Sequence, residues 1–382
     1  MSQNLRHTLL ATALLVLTTP ILMLGQSDGP GAANRSMAAP HEGPAASQRF
    51  KNLQVLNNVP ADQIFPAMQF ITASLGVECE FCHVEHAFDK DDKPEKRTAR
   101  KMMTMMFAID KANFNGRQEV TCYTCHQGSS DPRSTPIIAD TEPKPEAEEA
   151  SAGPRPALPN AGEILDKYVQ AIGGSDALHK ITTRVERGTL TGFGPGMPVE
   201  VLAKAPDARV TLVQTPRGQS VTAYNGQTGW MSGVGPARPI TGGELDNEKR
   251  NADFYFAANI KTEFQQIRVV REDKVGDHEA YVLMARNPGH TPVRFYFDKD
   301  SGLLLREMRF VETPLGRNPS EVDYADYRES DGVKIPYQWT IARPGGRFTI
   351  KIAEVQQNVP IDDSKFAAPQ SPSGADANSG TR

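Results

Sequence analysis

The chain has 382 residues, with 38% hydrophobic and 23% charged side chains and a formal net charge of −4. That length suggests two domains, and the composition is that of an ordinary globular protein. The slightly acidic balance excludes the basic footprint of a nucleic-acid binder.

Residues 1–26 read as a signal peptide or membrane anchor. Arg6 and His7 precede an apolar run from Leu9 to Leu24, and small polar residues follow. The run contains Pro20 and falls short of the ~20 apolar residues of a spanning helix, which favours export. No cysteine lies near its end, so no lipid-modified N-terminal cysteine is expected. Residues 27–48, rich in Gly, Ala, Ser and Pro, read as a flexible tether.

Residues 49–128 are dense in Met, Phe and Ile and hold all four cysteines. A helix is expected from Ala61 to Leu75, with Pro60 suited to a first helical position. Ile64, Ala67, Met68, Ile71 and Leu75 form its apolar positions, and Gly76 ends it. A second helix is expected from Arg97 to Phe114. Arg97, Arg100, Lys101, Thr104 and Lys111 fall on one side, and Ala99, Met102, Met106 and Ile109 on the other.

Residues 129–160 form a linker punctuated by Pro132, Pro136, Pro143, Pro145, Pro154, Pro156 and Pro159. Such a stretch is extended and solvated, and is expected to let the halves on either side move independently. On that basis a fragment covering residues 49–130 should stand alone.

Residues 161–366 open with one helix, Glu163 to Ile172, closed by Gly173-Gly174. Strand-like runs follow at Val185–Thr191, Val199–Ala203, Arg209–Gln214, Val221–Tyr224, Ile267–Arg271, Ala280–Ala285, Val293–Asp298, Leu303–Phe310 and Phe348–Ile352. Asn225-Gly226, Asp300-Ser301-Gly302 and Asp331-Gly332 mark turns. This half is expected to be a mainly antiparallel β domain with one N-terminal helix. Its candidate contact surface is the hairpin around Trp230 with Phe254-Tyr255-Phe256, residues that would serve equally as core. Residues 367–382 read as a disordered tail.

The chemistry lies in Cys79-Glu80-Phe81-Cys82-His83 and Cys122-Tyr123-Thr124-Cys125-His126. Both are C-x-x-C-H, the attachment signature of c-type haem. Cysteines three apart on a helical turn share a face and can add to the two vinyl groups of one porphyrin. The adjacent histidine can then ligate iron. A four-cysteine zinc site has the same paired cysteines, but the 39 residues between Cys82 and Cys122 are too many for a zinc ribbon. Zinc also gives no reason for the equivalent placement of His83 and His126. A thioredoxin-like pair lacks its strand–helix surroundings.

Two covalent haems c are therefore expected, held by Cys79, Cys82, Cys122 and Cys125, with His83 and His126 as proximal iron ligands. Met68, eleven residues before Cys79, is the candidate distal ligand of the first haem. Met102 is the candidate for the second, with Met106 next; Met103 and Met105 are read as packing. His86 is placed against a propionate or solvent.

With these residues in view, the segment 50–130 resembles the cytochrome c subunit of photosynthetic reaction centres. The resemblance rests on Met68 followed by Cys79-x-x-Cys82-His83, on Thr98-Ala99-Arg100-Lys101-Met102-Met103, and on Val120-Thr121-Cys122-Tyr123-Thr124-Cys125-His126. It implies a small, mainly α module with His/Met-ligated haems arranged in a line. The photosynthetic subunit carries four haem motifs and this chain two, so the haem module carries over and the photosynthetic role does not. Residues 161–366 resemble the half-open β-barrel of periplasmic lipoprotein carriers in their order of one helix then many strands, with Tyr224-Asn225-Gly226-x-x-Gly229-Trp230 in a hairpin. That implies a concave sheet face for a lipid or apolar partner.

The expected function is that of a periplasmic, bacterial dihaem cytochrome passing electrons between redox partners, a carrier rather than an enzyme. Its expected partners are a redox protein and, through the N-terminus, a membrane. Two alternatives stand beside it: a peroxidase-like haem enzyme with one open iron, and a lipid-binding module with an attached redox domain. No Ser/His/Asp or paired-carboxylate constellation stands out, and His179, His278 and His290 are scattered.

Overall fold

The computed structural model describes residues 44–133 and 158–368, apart from 193, 234–236 and 345. The signal or anchor at 1–26, the tether up to residue 43, most of the linker and the tail from 369 lie outside the described residues.

The helical module starts slightly earlier than expected. Ala45 bridges Pro60, and helix α1 (Ala46–Arg49) buries Ala46 completely. A 3-10 turn, Ala61–Gln63, leads into α2 (Ile64–Leu75). Pro60 stands just before that turn, in extended conformation, rather than inside it. Ile64, Ala67, Phe70 and Ile71 are buried on one side of α2, an i, i+3, i+6, i+7 spacing that keeps one face of a helix inward.

Gly76 caps α2 in the left-handed region with φ 66°. It is also a point of close approach: a Cβ there would lie 2.3 Å from the Gly128 carbonyl oxygen, whose own N–H donates to Ser74 O at 2.9 Å. Only glycine lets the end of α2 meet the turn after His126 so closely.

Two one-turn helices, α3 (Cys79–Cys82) and α5 (Cys122–His126), flank the long helix α4 (Pro94–Asn113). The buried residues of α4 are Lys96, Met103, Met106 and Asp110. The expected core face, with Met102 inward and Met103 as filler, is therefore corrected. Met103 is 7% exposed and Met102 37%. The polarity pattern misled because the true face carries a charged residue near each end, at Lys96 and Asp110.

The second half holds a single 13-stranded antiparallel sheet in the order β6-β5-β4-β3-β2-β1-β13-β12-β11-β10-β9-β8-β7. Its strands are β1 (Thr183–Thr191), β2 (Met197–Lys204), β3 (Ala208–Thr215), β4 (Gly218–Asn225), β5 (Gly229–Ser232), β6 (Arg238–Ile240), β7 (Gln266–Val275), β8 (His278–Arg286), β9 (Val293–Asp298), β10 (Leu304–Thr313), β11 (Gly316–Ser330), β12 (Val333–Arg343) and β13 (Gly346–Gln357). Each strand pairs with its sequence neighbour except at β1–β13, where the ends of the meander meet, and at the β6 and β7 edges.

Among the described residues four α-helices belong to this half rather than the single one expected: α6 (Ala161–Ala171), α7 (Ser175–His179), α8 (Gly242–Ala252) and α9 (Phe256–Glu263). Asn160 caps α6, its side chain accepting from Gly162 N at 2.7 Å. Ile164, Leu165 and Tyr168 of α6 and Ile260 of α9 pack on Leu283, Phe295, Phe297 and Ile335. That sheet face is covered by the chain's own helices.

Phe254 and Phe256 pack against this core, and Trp230 is buried in a second cluster with Val185, Leu202, Val210 and Phe366. The candidate contact surface around Trp230 is thus core, not surface.

A buried ionic network pins α8 to the same sheet face. Glu307 sits opposite Phe295 across β9 and is 2% exposed. Its Oε2 accepts from Arg309 at 2.5 Å and from the Tyr324 hydroxyl at 3.4 Å; Arg250 of α8 lies 3.6 Å from Oε1. Arg309 also donates to Asn251 Oδ1 of α8 at 2.8 Å.

The two halves are packed together, which corrects the expected independence. The tip of the β10–β11 hairpin inserts Leu315 into the helical module's core, beside Ile64, Phe70, Ile71, Met103 and Met106. Leu315 is 0% exposed. Gly316 follows because space requires it: a Cβ there would come within 2.2 Å of the Phe70 ring. Gln118 donates to Pro314 O at 2.5 Å and Asn318 to Pro66 O at 3.1 Å. Thr241 hydrogen-bonds Asp62, and Arg238 stacks 5.7 Å from the Phe65 ring centroid.

Candidate haem-attachment sites

Both motifs take the same local form. A residue in extended conformation, Glu78 or Thr121, precedes one turn of helix that begins at the first cysteine. Thr121 and Thr124 form a reciprocal capping box around the second motif. The loop before it is fixed by Asp110, whose Oδ1 accepts from Glu119 N at 3.2 Å and Val120 N at 2.9 Å. All four cysteines are free thiols. Burial pushes the Cys82 and Cys122 thiols up. Among the described residues no three His, Cys, Asp or Glu side chains converge as a metal-holding group, so the two cysteine pairs do not share one tetrahedral site.

Each motif histidine is oriented by a backbone carbonyl downstream. His83 Nδ1 lies 3.1 Å from Phe88 O, and His126 Nδ1 lies 2.9 Å from Ser129 O. A carbonyl only accepts, so Nδ1 is the donor in both rings, and in the neutral ring this leaves the lone pair on Nε2, the arrangement an iron-ligating imidazole needs. Burial, reinforced by Lys96, Arg100 and Lys93, holds the His83 imidazole below its usual range and outweighs the Phe88 hydrogen bond. At neutral pH the ring is the uncharged, ligating form.

Met68, Ile71, Cys82, His83, Phe88 and Met103 line one cleft, with Lys51, Lys96 and Arg100 also in its wall. Apolar side chains, a thiol, an imidazole, two thioethers and three cations suit a porphyrin with its anionic propionates. The structure thus brings Met68 to the cleft of Cys82 and His83. It also brings Met103 there, which the sequence reading took for packing; the seven-residue spacing of Lys96, Met103 and Asp110 was the available signal.

The second motif packs against the end of α2, as the Gly76–Gly128 approach shows. Cys122 joins the module core, His126 is buried, and Cys125 is exposed. Met102 and Met105 stand together on the outer side of α4, while Met106 is buried in the core. His86 points to solvent beside Glu85. His278 and His290 are exposed and paired with Asp298 and Asp246, and His179 bonds Ser175.

The family model described as "Photosynthetic reaction centre cytochrome C subunit" matches residues 15–159, which include both motifs and both helices. The photosynthetic reaction center cytochrome c subunit of Rubrivivax gelatinosus is 34% identical over 102 residues, 25% of this chain and 27% of that protein. Its counterpart in Thermochromatium tepidum is 32% identical over 112 residues, 28% of this chain and 27% of that one. Cytochrome c-554 of Chloroflexus aurantiacus is 34% identical over 85 residues, 20% of each. The chain therefore spans about a quarter or less of the length of these curated relatives.

Among solved structures, a LolA superfamily protein from Nitrosomonas europaea aligns at TM-score 0.38 and 15% identity, covering 55% of this chain and 99% of that one. A DUF1329 family protein from Desulfovibrio piger aligns at 0.39 and 14%, covering 54% and 96%. The helical module is similar to c-type cytochromes, and the other half is a large antiparallel sheet.

Proposed function

We propose that this protein is an extracytoplasmic dihaem c-type cytochrome that carries electrons between protein partners. The observation that carries the reading is the repeated geometry of the two motifs: paired thiols on one helical turn, then an imidazole whose Nδ1 is tied to a carbonyl and whose Nε2 is free to ligate. A haem held there supplies a one-electron change at iron. The chain's residues do the rest: Cys79 and Cys82, and Cys122 and Cys125, anchor the two porphyrins, and His83 and His126 supply the proximal nitrogens. Thioethers would be the distal ligands of bound haems, Met68 in the first cleft and Met102, on the outer side of α4, for the second. Such ligation would exclude substrate from iron and raise the potential, as a carrier requires.

Attachment of haem c requires export, which residues 1–26 would direct. Among the described residues no helix is long and apolar enough to cross a membrane. Potentiometric titration of protein matured with haem should resolve two one-electron transitions per chain. A single transition, or a ferrous form that binds carbon monoxide tightly at either iron, contradicts the reading.

Met68→Ala is expected to lower one of the two potentials and remove part of the long-wavelength sulfur-to-iron band of the oxidised protein. Optical titration checks this. If band and potentials are unchanged, the distal ligand is another residue, with Met103 of the same cleft next.

A further inference from the structure

The two motif histidines differ in one respect. The carbonyl that orients His83, Phe88 O, also accepts a hydrogen bond from Lys96 Nζ at 2.9 Å. Lys96 is 9% exposed, a second donor goes to Lys90 O at 2.6 Å, and its Nζ forms an ion pair with Asp91 Oδ1 at 3.0 Å. Two ammonium protons are thus directed to carbonyls, and the cation is held against the Asp91 carboxylate. Asp91 is held in turn by Arg100 at 2.8 Å, and Arg100 donates to Asn52 O at 2.9 Å. The carbonyl that orients His126, Ser129 O, takes no lysine or arginine donor among the described residues.

A strong acceptor on Nδ1–H makes an imidazole a better electron donor to its metal. An ammonium on that acceptor draws its electron density away, and the imidazole donates less. The less it donates, the more the reduced iron is favoured. The fixed positive charge in the cleft wall acts in the same direction.

We propose that Lys96 is a positioning residue that sets the reduction potential of the first haem above that of the second, acting through the carbonyl it shares with His83. The proposal rests on the assignment of His83 and His126 as iron ligands.

Three variants of the full-length, haem-loaded protein test it. Lys96→Met should lower one midpoint potential, by about tenfold in the reduction equilibrium or ~59 mV for a one-electron couple, and leave the other in place. Lys96→Arg, which keeps the charge, should restore most of the shift. Asp91→Asn, which removes the counter-charge and leaves the cation, should move the same potential upward. Loss of packing alone would not give shifts of opposite sign. Two unchanged potentials in Lys96→Met, equal shifts of both, or downward shifts in both Lys96→Met and Asp91→Asn would overturn the proposal. If Lys96→Met does not fold, the upward shift in Asp91→Asn still decides it. Haem content of the unmutated protein tests the ligand assignment separately, so its failure is distinguishable from that of Lys96.

Discussion

Leu315→Ala is expected to destabilise the helical module by about 2–5 kcal/mol, the range for truncating a fully buried leucine. Leu315 lies on a two-residue turn between Thr313 and Gly316, closed by the Thr313 hydroxyl, which accepts from Leu315 N at 3.2 Å and Gly316 N at 3.1 Å. The turn is rigid and the helical core around Leu315 is closed, so the cavity cannot collapse readily. The readout is thermal unfolding followed by two probes, haem absorbance for the helical module and far-ultraviolet dichroism for the sheet. In the unmutated protein the transitions should coincide. In Leu315→Ala the absorbance transition should fall to lower temperature and separate from the other. Coincident, unshifted transitions would show that the hairpin tip does not bind the halves together. For the same reason a fragment covering residues 49–130, which the proline-rich linker had suggested would stand alone, should be markedly less stable than the module in the full chain.

Glu307→Gln should cost about 3–5 kcal/mol at neutral pH, because it leaves Arg309 and Arg250 buried without their counter-charge. Burial opposes ionisation of Glu307, but Arg309 and Arg250, with the Tyr324 hydrogen bond, outweigh it and hold the carboxyl below its usual range. A depressed folded pKa gives a contribution that is complete above the unfolded value of about 4.3 and is lost as pH falls through the folded value. The stability gap between unmutated protein and Glu307→Gln should therefore be constant from pH 7 to about 5 and close below about 4. Denaturant titrations across that range check the sign. Glu186 behaves oppositely: burial raises its carboxyl despite Arg184 and Arg209. Acid titration of the unmutated protein alone thus mixes both, and the difference between the two proteins isolates Glu307.

The parts legible in the sequence are those that local chemistry decides. The C-x-x-C-H motifs, the end of α2 at Gly76, and strands such as Val293–Asp298 depend on neighbours in the chain. What escaped depends on distant contacts. The phase of α4 was misread because Lys96 and Asp110 are buried for their hydrogen bonds, and polarity places them outside. Strand β11 carries Pro319 and alternating charges, features that argue against an interior strand, yet it lies between β10 and β12. Helix α8 is almost wholly polar and is held on the sheet by Arg250 and Asn251 rather than by an apolar stripe. The insertion of Leu315 left no periodic signal, since a single leucine in a Pro-Leu-Gly turn reads as a turn.

Each thiol pair is expected to carry one covalent haem, two per chain. Haem content by pyridine haemochrome, set against polypeptide mass from the same sample matured by a host that attaches haem c, tests it most directly. Two haems per chain are expected, bound through thioethers, falling to one when Cys122 and Cys125 are both replaced by alanine. One haem or none in the unmutated protein, or a zinc ion in their place, would contradict it.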